Sequence, residues 1–215
     1  LGFGAITGED DIYLLPKNSF KEGIDPRFVR GFVEGDSVRD WSITSRVNCV
    51  FPYSSELDAD IDVRAKSKFW PARTVLRKRV YFGKTQDQRE LAWYEYGYVS
   101  KDKCSADFLI SFAFVSTHNH FVLDRGGKVF NRTAPVIKLR TQSSEDECFY
   151  FLGLLNSSIS CFWGRQTFFS KRGEDVGRWG EFMEFDGTKL KKFPIPVDER
   201  NKAQDLAQNL DSLSY

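Results

Sequence analysis

Between residues 108 and 139 the chain breaks into short apolar runs separated by turn-forming residues. After that, the apolar spacing changes to that of a helix. Residues 108–115, 120–124, 128–130 and 135–139 are rich in β-branched and aromatic side chains, the composition of strands. From Glu145 onward Cys148, Leu152, Leu155, Ile159 and Phe162 recur near every third or fourth position, which predicts a helix over 145–165. Ser144 and Glu147 stand at the spacing of a capping box at its start. Strands this short cannot stand alone in water. Such strands followed by a helix make an α+β domain the best coarse reading. Within the block, Asp124-Arg-Gly-Gly127 predicts a hairpin, because glycine tolerates the positive φ of a tight turn.

The flanking sequence extends this pattern. Residues 2–15 look like a loop entering a strand, and 29–50 like short strands around Gly35-Asp-Ser. Residues 54–68 suit a short helix, while 73–82 and 93–99 read as strands joined by the polar loop 83–90. Residues 167–181 form a glycine-rich, charged and aromatic loop. Residues 190–197 end in Phe193-Pro-Ile-Pro, where proline excludes helix and central-strand pairing alike. Ala203, Leu206, Ala207, Leu210 and Leu213 form one apolar stripe on a terminal helix. The expected fold is α+β, a curled mixed or antiparallel sheet with a few packed helices. Residues 1–197 form the main domain, and 198–215 an amphipathic helix packing on it or on another domain.

With 215 residues, 41% hydrophobic and 15% aromatic, the chain has ample material for a core. It starts at Leu1 and holds a single methionine, Met183, as an excised fragment of a longer protein would. No apolar run approaches the roughly 18 residues of a membrane span, and no signal-peptide pattern opens the chain, so no membrane partner is expected. Cys49, Cys104, Cys148 and Cys161 are widely spaced, which fits reduced, buried thiols in a cytoplasmic protein. The net charge of +1 hides a local asymmetry. Residues 56–62 hold Glu56, Asp58, Asp60 and Asp62 without a base, and residues 64–84 hold eight bases without an acid. That segregation is a candidate polyanion footprint, although the near-neutral total argues against non-specific coating of nucleic acid.

The sequence lacks the marks of a catalyst. Gly126-Gly127 and Gly2-Phe-Gly4 do not make a phosphate-cradling fingerprint between strand and helix. The Asn-Pro-Pro-aromatic element of adenine methyltransferases is absent, and with it any nameable S-adenosylmethionine site. His118-Asn119-His120 has no cysteine or carboxylate pair beside it at metal spacing, so no metal is expected. A polar cluster at a strand entry and a base or phosphate contact both fit that tripeptide. In the basic run, Arg73, Arg77, Lys78 and Arg79 interleave with aromatics, as in surfaces that neutralise phosphates and stack on bases. An ordinary charged hairpin would look the same. As a strand, Arg77 and Arg79 would share one face and Lys78 the other. In the later loop, Lys171, Arg172 and Arg178 could donate to guanine and Gln166 could pair with adenine; a solvated loop fits equally.

Taken in order, these residues resemble the C-terminal specificity domains of type IIG restriction-methylation enzymes. They are especially similar to the phage-defence methyltransferases of BREX systems, the PglX family. The resemblance rests on Gly4-Ala-Ile-Thr-Gly-Glu-Asp-Asp-Ile-Tyr13, where the family usually has Thr-Gly-x-Asn-Asp-x-Phe; Asp10 and Tyr13 depart from that pattern. Gly35-Asp-Ser-Val-Arg-Asp-Trp41, the strand end at Pro52-Tyr53, and Asn119 to Arg132 continuing into Ala134-Pro-Val-Ile-Lys138 follow. Leu154-Leu-Asn-Ser157 and Phe185-Asp-Gly-Thr-Lys-Leu-Lys-Lys-Phe-Pro-Ile-Pro196 complete it.

The resemblance implies that residues 1–197 are a DNA target recognition domain for double-stranded DNA. An N-terminal methyltransferase domain of the same polypeptide would bind S-adenosylmethionine and methylate adenine N6, with this segment lacking cofactor and catalyst. Other restriction or BREX proteins are further partners it implies. Arg73, Arg77, Lys78, Arg79, Lys171, Arg172 and Arg178 are the expected DNA contacts, with Thr7, Asn119 and Gln166 beside them. A protein-interaction module docking through the terminal helix, and a nuclease, are the competing readings.

Overall fold

The computed structural model describes residues 1–15, 23–140, 143–171, 180–196 and 200–214. The first half runs β1 (Ala5–Ile6), α1 (Asp10–Tyr13), β2 (Leu14–Leu15), β3 (Val29–Val33), β4 (Val38–Arg39), β5 (Ser42–Ile43), β6 (Val47–Val50), α2 (Val63–Phe69), α3 (Arg73–Lys78), β7 (Val80–Tyr81), β8 (Lys84–Thr85), β9 (Tyr98–Val99) and α4 (Lys101–Cys104). The second half runs β10 (Leu109–Phe112), β11 (Val115–Ser116), β12 (Phe121–Asp124), β13 (Lys128–Phe130), β14 (Val136–Ile137), α5 (Glu145–Leu155), α6 (Ser158–Thr167), β15 (Phe169–Lys171), β16 (Phe182–Glu184), α7 (Gly187–Leu190) and α8 (Arg200–Ser212).

This is the expected α+β architecture, divided among several small sheets. The largest has the order β13-β3-β6-β2; β13 lies parallel to β3 and the other pairs are antiparallel. Antiparallel trios β12-β10-β14 and β11-β16-β15 make up the second half. One apolar core gathers Tyr13, Leu15, Phe32, Phe51, Phe69, Leu76 and Tyr96, with Tyr13 set edge-on against Phe69 and Tyr96 at 4.9 Å. A second joins Ile110, Phe112, Phe121 and Leu123 of the β10–β12 pair to Cys148, Phe149 and Leu152 of α5 and Ala207 of α8. Val33, Val38, Leu109, Val122, Phe130 and Val136 form a seam of apolar contacts contributed by both halves.

Several local expectations are corrected. Of the strand predicted over 73–82 only β7 is extended and 73–78 are helical: Ala65, Phe69 and Leu76 are the buried residues of α2 and α3, at spacings of one and two helical turns. Asp62 caps α2 by accepting from the Arg64 and Ala65 amides at 2.8 and 3.1 Å, so the acids before it are cap and loop, not helix. Of 93–99 only β9 is extended. The helix over 145–165 is two helices, because Ser157 starts a new one by accepting from the Ser160 amide at 3.1 Å. Gly126 and Gly127 do adopt positive φ, at 89° and 80°, but β12 and β13 are not a hairpin. The turn hands the chain from the β10 sheet to the β3 sheet.

Helix α8 packs along α5, where Gly153 lets the backbone of Ala203 approach; a Cβ there would lie 2.3 Å from the Ala203 carbonyl oxygen. The stripe expected on α8 is split. Ala207 and Asp211 are buried, whereas Leu206, Leu210 and Leu213 are exposed. All four cysteines are free, with Cys49 and Cys148 buried. Among the described residues, no helix is long and apolar enough to cross a membrane.

Candidate nucleic-acid interface

Helices α2 and α3 meet end to end through a short 3-10 turn, Trp70–Ala72, which Pro71 opens at a position needing no amide donor. With Ala65, Phe69 and Leu76 turned inward, five bases point outward, Arg64, Lys66, Lys68, Arg77 and Lys78, alongside exposed Val63, Ser67, Thr74 and Val75. The Arg73 guanidinium is stacked 4.3 Å over the Trp70 ring and donates to the Trp70 carbonyl at 3.2 Å. Trp70 itself is exposed, as is Phe82 at the tip of the β7–β8 hairpin, beside exposed Lys84. Arg77 pairs with Asp87 at 3.0 Å, both well exposed, an ion pair of little strength in water. The expected basic surface therefore exists, on helices.

Arg79 is not on it. Only 6% exposed, its guanidinium donates to the carbonyls of Leu76 at 2.9 Å, Glu95 at 2.7 Å and Thr7. A cation so enclosed by backbone oxygens is a structural clamp, so Arg79 is removed from the expected DNA contacts. Thr7 goes with it: it is buried, its hydroxyl donates to Asp10, and its carbonyl also accepts from the Gly97 amide at 3.1 Å. Asn119 is likewise structural. Its side chain donates to the carbonyls of Leu155 at 2.6 Å and Ser157 at 3.2 Å, tying off the break between α5 and α6.

On the opposite half of the chain, Gln166 is exposed on α6 and lines a cavity of about 410 Å³ with Phe162, Arg165, Phe168, Ser170, Glu181 and Met183. Lys171 is exposed at the end of β15, 3.5 Å from Glu184. Of the expected loop over 167–181, residues 169–171 form β15, which pairs antiparallel with β16. Arg172 and Arg178 lie outside the described residues.

Two segments that carry the family resemblance meet in space. The turn Gly8-Glu-Asp-Asp11 and the segment Asn131-Arg-Thr133 line one groove of about 470 Å³, with Glu34 and Tyr81. Gly35 lets the chain after Glu34 approach the second segment: its amide donates to Thr133 Oγ1 at 2.8 Å, and a Cβ would lie 2.3 Å from the Thr133 carbonyl oxygen. Burial, with Asp36 and Asp10 nearby, raises the Glu34 carboxyl above its ordinary value. The groove was not recognised in the sequence, although both segments were; nothing in linear order says that they touch. The groove brings the carboxylates of Glu9, Asp10, Asp11 and Glu34 to the same place as the Arg132 guanidinium.

His118 and His120 do come together, ring centroids 4.1 Å apart, with Asn119 turned to the helix break. Burial, with His118 and Arg39 nearby, holds the His120 imidazole down at about 4, so it is neutral at neutral pH.

Comparison with known proteins agrees with the resemblance. The chain is 40% identical, over 92% of its length, to the adenine-specific methyltransferase PglX of Streptomyces coelicolor, and it spans only 18% of that protein. Its fold matches a solved structure of the type IIL restriction-modification enzyme MmeI in complex with DNA, with a TM-score of 0.65. That match covers 97% of this chain and 26% of the other at 13% identity, a likeness of fold alone. No family model matches the chain.

Proposed function

We propose that this chain is the DNA-reading part of an adenine-specific methyltransferase of the restriction or phage-defence kind, and that it selects the site which another part modifies. The observation that carries this reading is the exposed basic face of α2 and α3, bordered by Trp70 and Phe82. Cations spaced along such a face neutralise phosphates and release counterions, while flanking aromatics pack on sugars or bases. Arg73, Arg77 and Lys78 hold register on the backbone. Gln166 and Lys171, with the loop that follows, supply base-edge contacts.

S-adenosylmethionine and the methyl transfer belong, on this reading, to an N-terminal domain of the same polypeptide. This segment contributes specificity and no chemistry. Exchanging residues 1–197 for the corresponding segment of a relative, then sequencing the methylome of cells carrying the full gene, tests it. The methylated motif should move with the segment; an unchanged motif would end the proposal. A second reading, docking through α8, is favoured by the exposed Leu206, Leu210 and Leu213. Replacing the three by serine would then abolish assembly and leave the motif intact.

A further inference from the structure

The turn between β4 and β5 places both of its central residues in the left-handed region, Asp40 at φ 47° and Trp41 at φ 69°. A two-residue hairpin needs that conformation, which is normally supplied by Asn-Gly or Asp-Gly; a tryptophan there is strained. The strain is held in place from two sides. Trp41 packs on the core beneath α5, and its carbonyl accepts from the Ser214 hydroxyl at 3.2 Å. The result is a held turn backbone that carries an exposed carboxylate 3.6 Å from His120 Nδ1.

The segment carrying the histidines is just as firmly held. The Arg165 guanidinium donates to the Thr117 carbonyl at 2.9 Å, and Asn119 is fastened to the α5–α6 break. His118 Nδ1 lies 2.9 Å from the Thr117 hydroxyl, the sort of outer partner that orients an imidazole bound to a metal. One ligand atom from each of Asp40, His118 and His120 lies within 4.8 Å of the other two. Spacing along the chain conceals this, because the carboxylate comes from a turn remote in sequence from the two histidines.

We propose that Asp40, His118 and His120 form a zinc site that fastens the β4–β5 turn to the entry of β12. Two imidazoles and one carboxylate are the donor set of zinc centres that keep a fourth position open. Tetrahedral ligation at about 2.0–2.1 Å sets donors about 3.4 Å apart. The Asp40–His120 pair is already near that, and rotation of the two exposed side chains, Asp40 and His118, closes the rest. The buried His120 is the fixed post against which they close.

The test is titration of zinc chloride into the chelator-treated protein, compared with His118→Ala and Asp40→Asn. Both residues are exposed, so both variants should keep the wild-type circular dichroism spectrum. The proposal expects saturable zinc binding by the wild type and a rise in Tm on loading. Loss of an outer partner alone weakens metal sites roughly 10–100-fold, and loss of a ligand should weaken this one by at least about tenfold. Cobalt loaded in place of zinc should give a visible spectrum without a thiolate charge-transfer band, which separates this site from the four cysteines. Equal zinc affinity in wild type and variants, absence of saturable binding, or a thiolate band each overturns the proposal.

Discussion

Arg79 and Lys78 are neighbours in sequence with opposite roles. Replacing Arg79 by alanine removes its donors from the carbonyls of Leu76, Thr7 and Glu95, of which Thr7 keeps the Gly97 amide and Glu95 the Gln86 side chain and the Tyr13 hydroxyl. Denaturant unfolding should record a loss of about 1–3 kcal/mol, the range for leaving a buried acceptor without its donor. Lys78→Ala should change stability by less than about 0.5 kcal/mol and lower the salt slope of DNA binding by about 1. A stable Arg79→Ala protein that lost only DNA binding would reverse this assignment. Residue identity alone could not separate the two, since the run of cations reads uniformly along the sequence and only packing singles out Arg79.

A second residue-scale test concerns Asp124, buried at the end of β12 with Lys128 Nζ 2.5 Å away. Burial raises its carboxyl above the ordinary value although Lys128 opposes the shift. Such a group binds its proton more readily folded than unfolded, so its contribution is complete at acid pH and declines as pH rises through the folded value. Lys128→Met removes the opposing charge and raises the carboxyl further. Its cost, about 1–3 kcal/mol at neutral pH, should vanish below roughly pH 3, where the carboxyl is protonated in both states. A destabilisation independent of pH would mean that Lys128 acts by packing alone.

Among elements, the helix α5 with its capping serine was legible because Cys148, Leu152 and Leu155 repeat at helical spacing. The same spacing lay in Ala65, Phe69 and Leu76, but Pro71 and the surrounding β-formers obscured it. The break after Leu155 was written in Asn156-Ser-Ser158, side chains that cap as readily as they continue a helix. Asn156 there donates to the Phe121 carbonyl at 2.7 Å and accepts from its amide at 2.9 Å, which joins the break to β12. The pairing of α5 with α8 depends on Gly153. Gly153→Ala would drive a methyl group against the Ala203 carbonyl, and thermal unfolding should show a loss of about 1–3 kcal/mol from overpacking. Should the variant be as stable as wild type, the two helices do not pack as closely as described.

For the molecule as a whole, the α+β class was legible in strand and helix periods, and the topology was not. Asp124-Arg-Gly-Gly127 is chemically a hairpin turn, and only the competition between sheets sends β13 to pair with β3. The candidate site fared similarly: its basic face was visible as composition, while the groove between the Gly8 turn and Asn131 and the cluster around His120 needed the fold to bring distant segments together. Strand β13 contributes Val129 to the first core, although its neighbours in sequence build the second. That interleaving bears on how such a chain diversifies. A crossover by recombination near residue 106 would join one parent's β3 to the other parent's β13, and every pair of side chains across that seam would have to match. Functional hybrids should therefore arise from crossovers outside the interval between β3 and β13; a library of random chimaeras scored for solubility would reveal the forbidden interval.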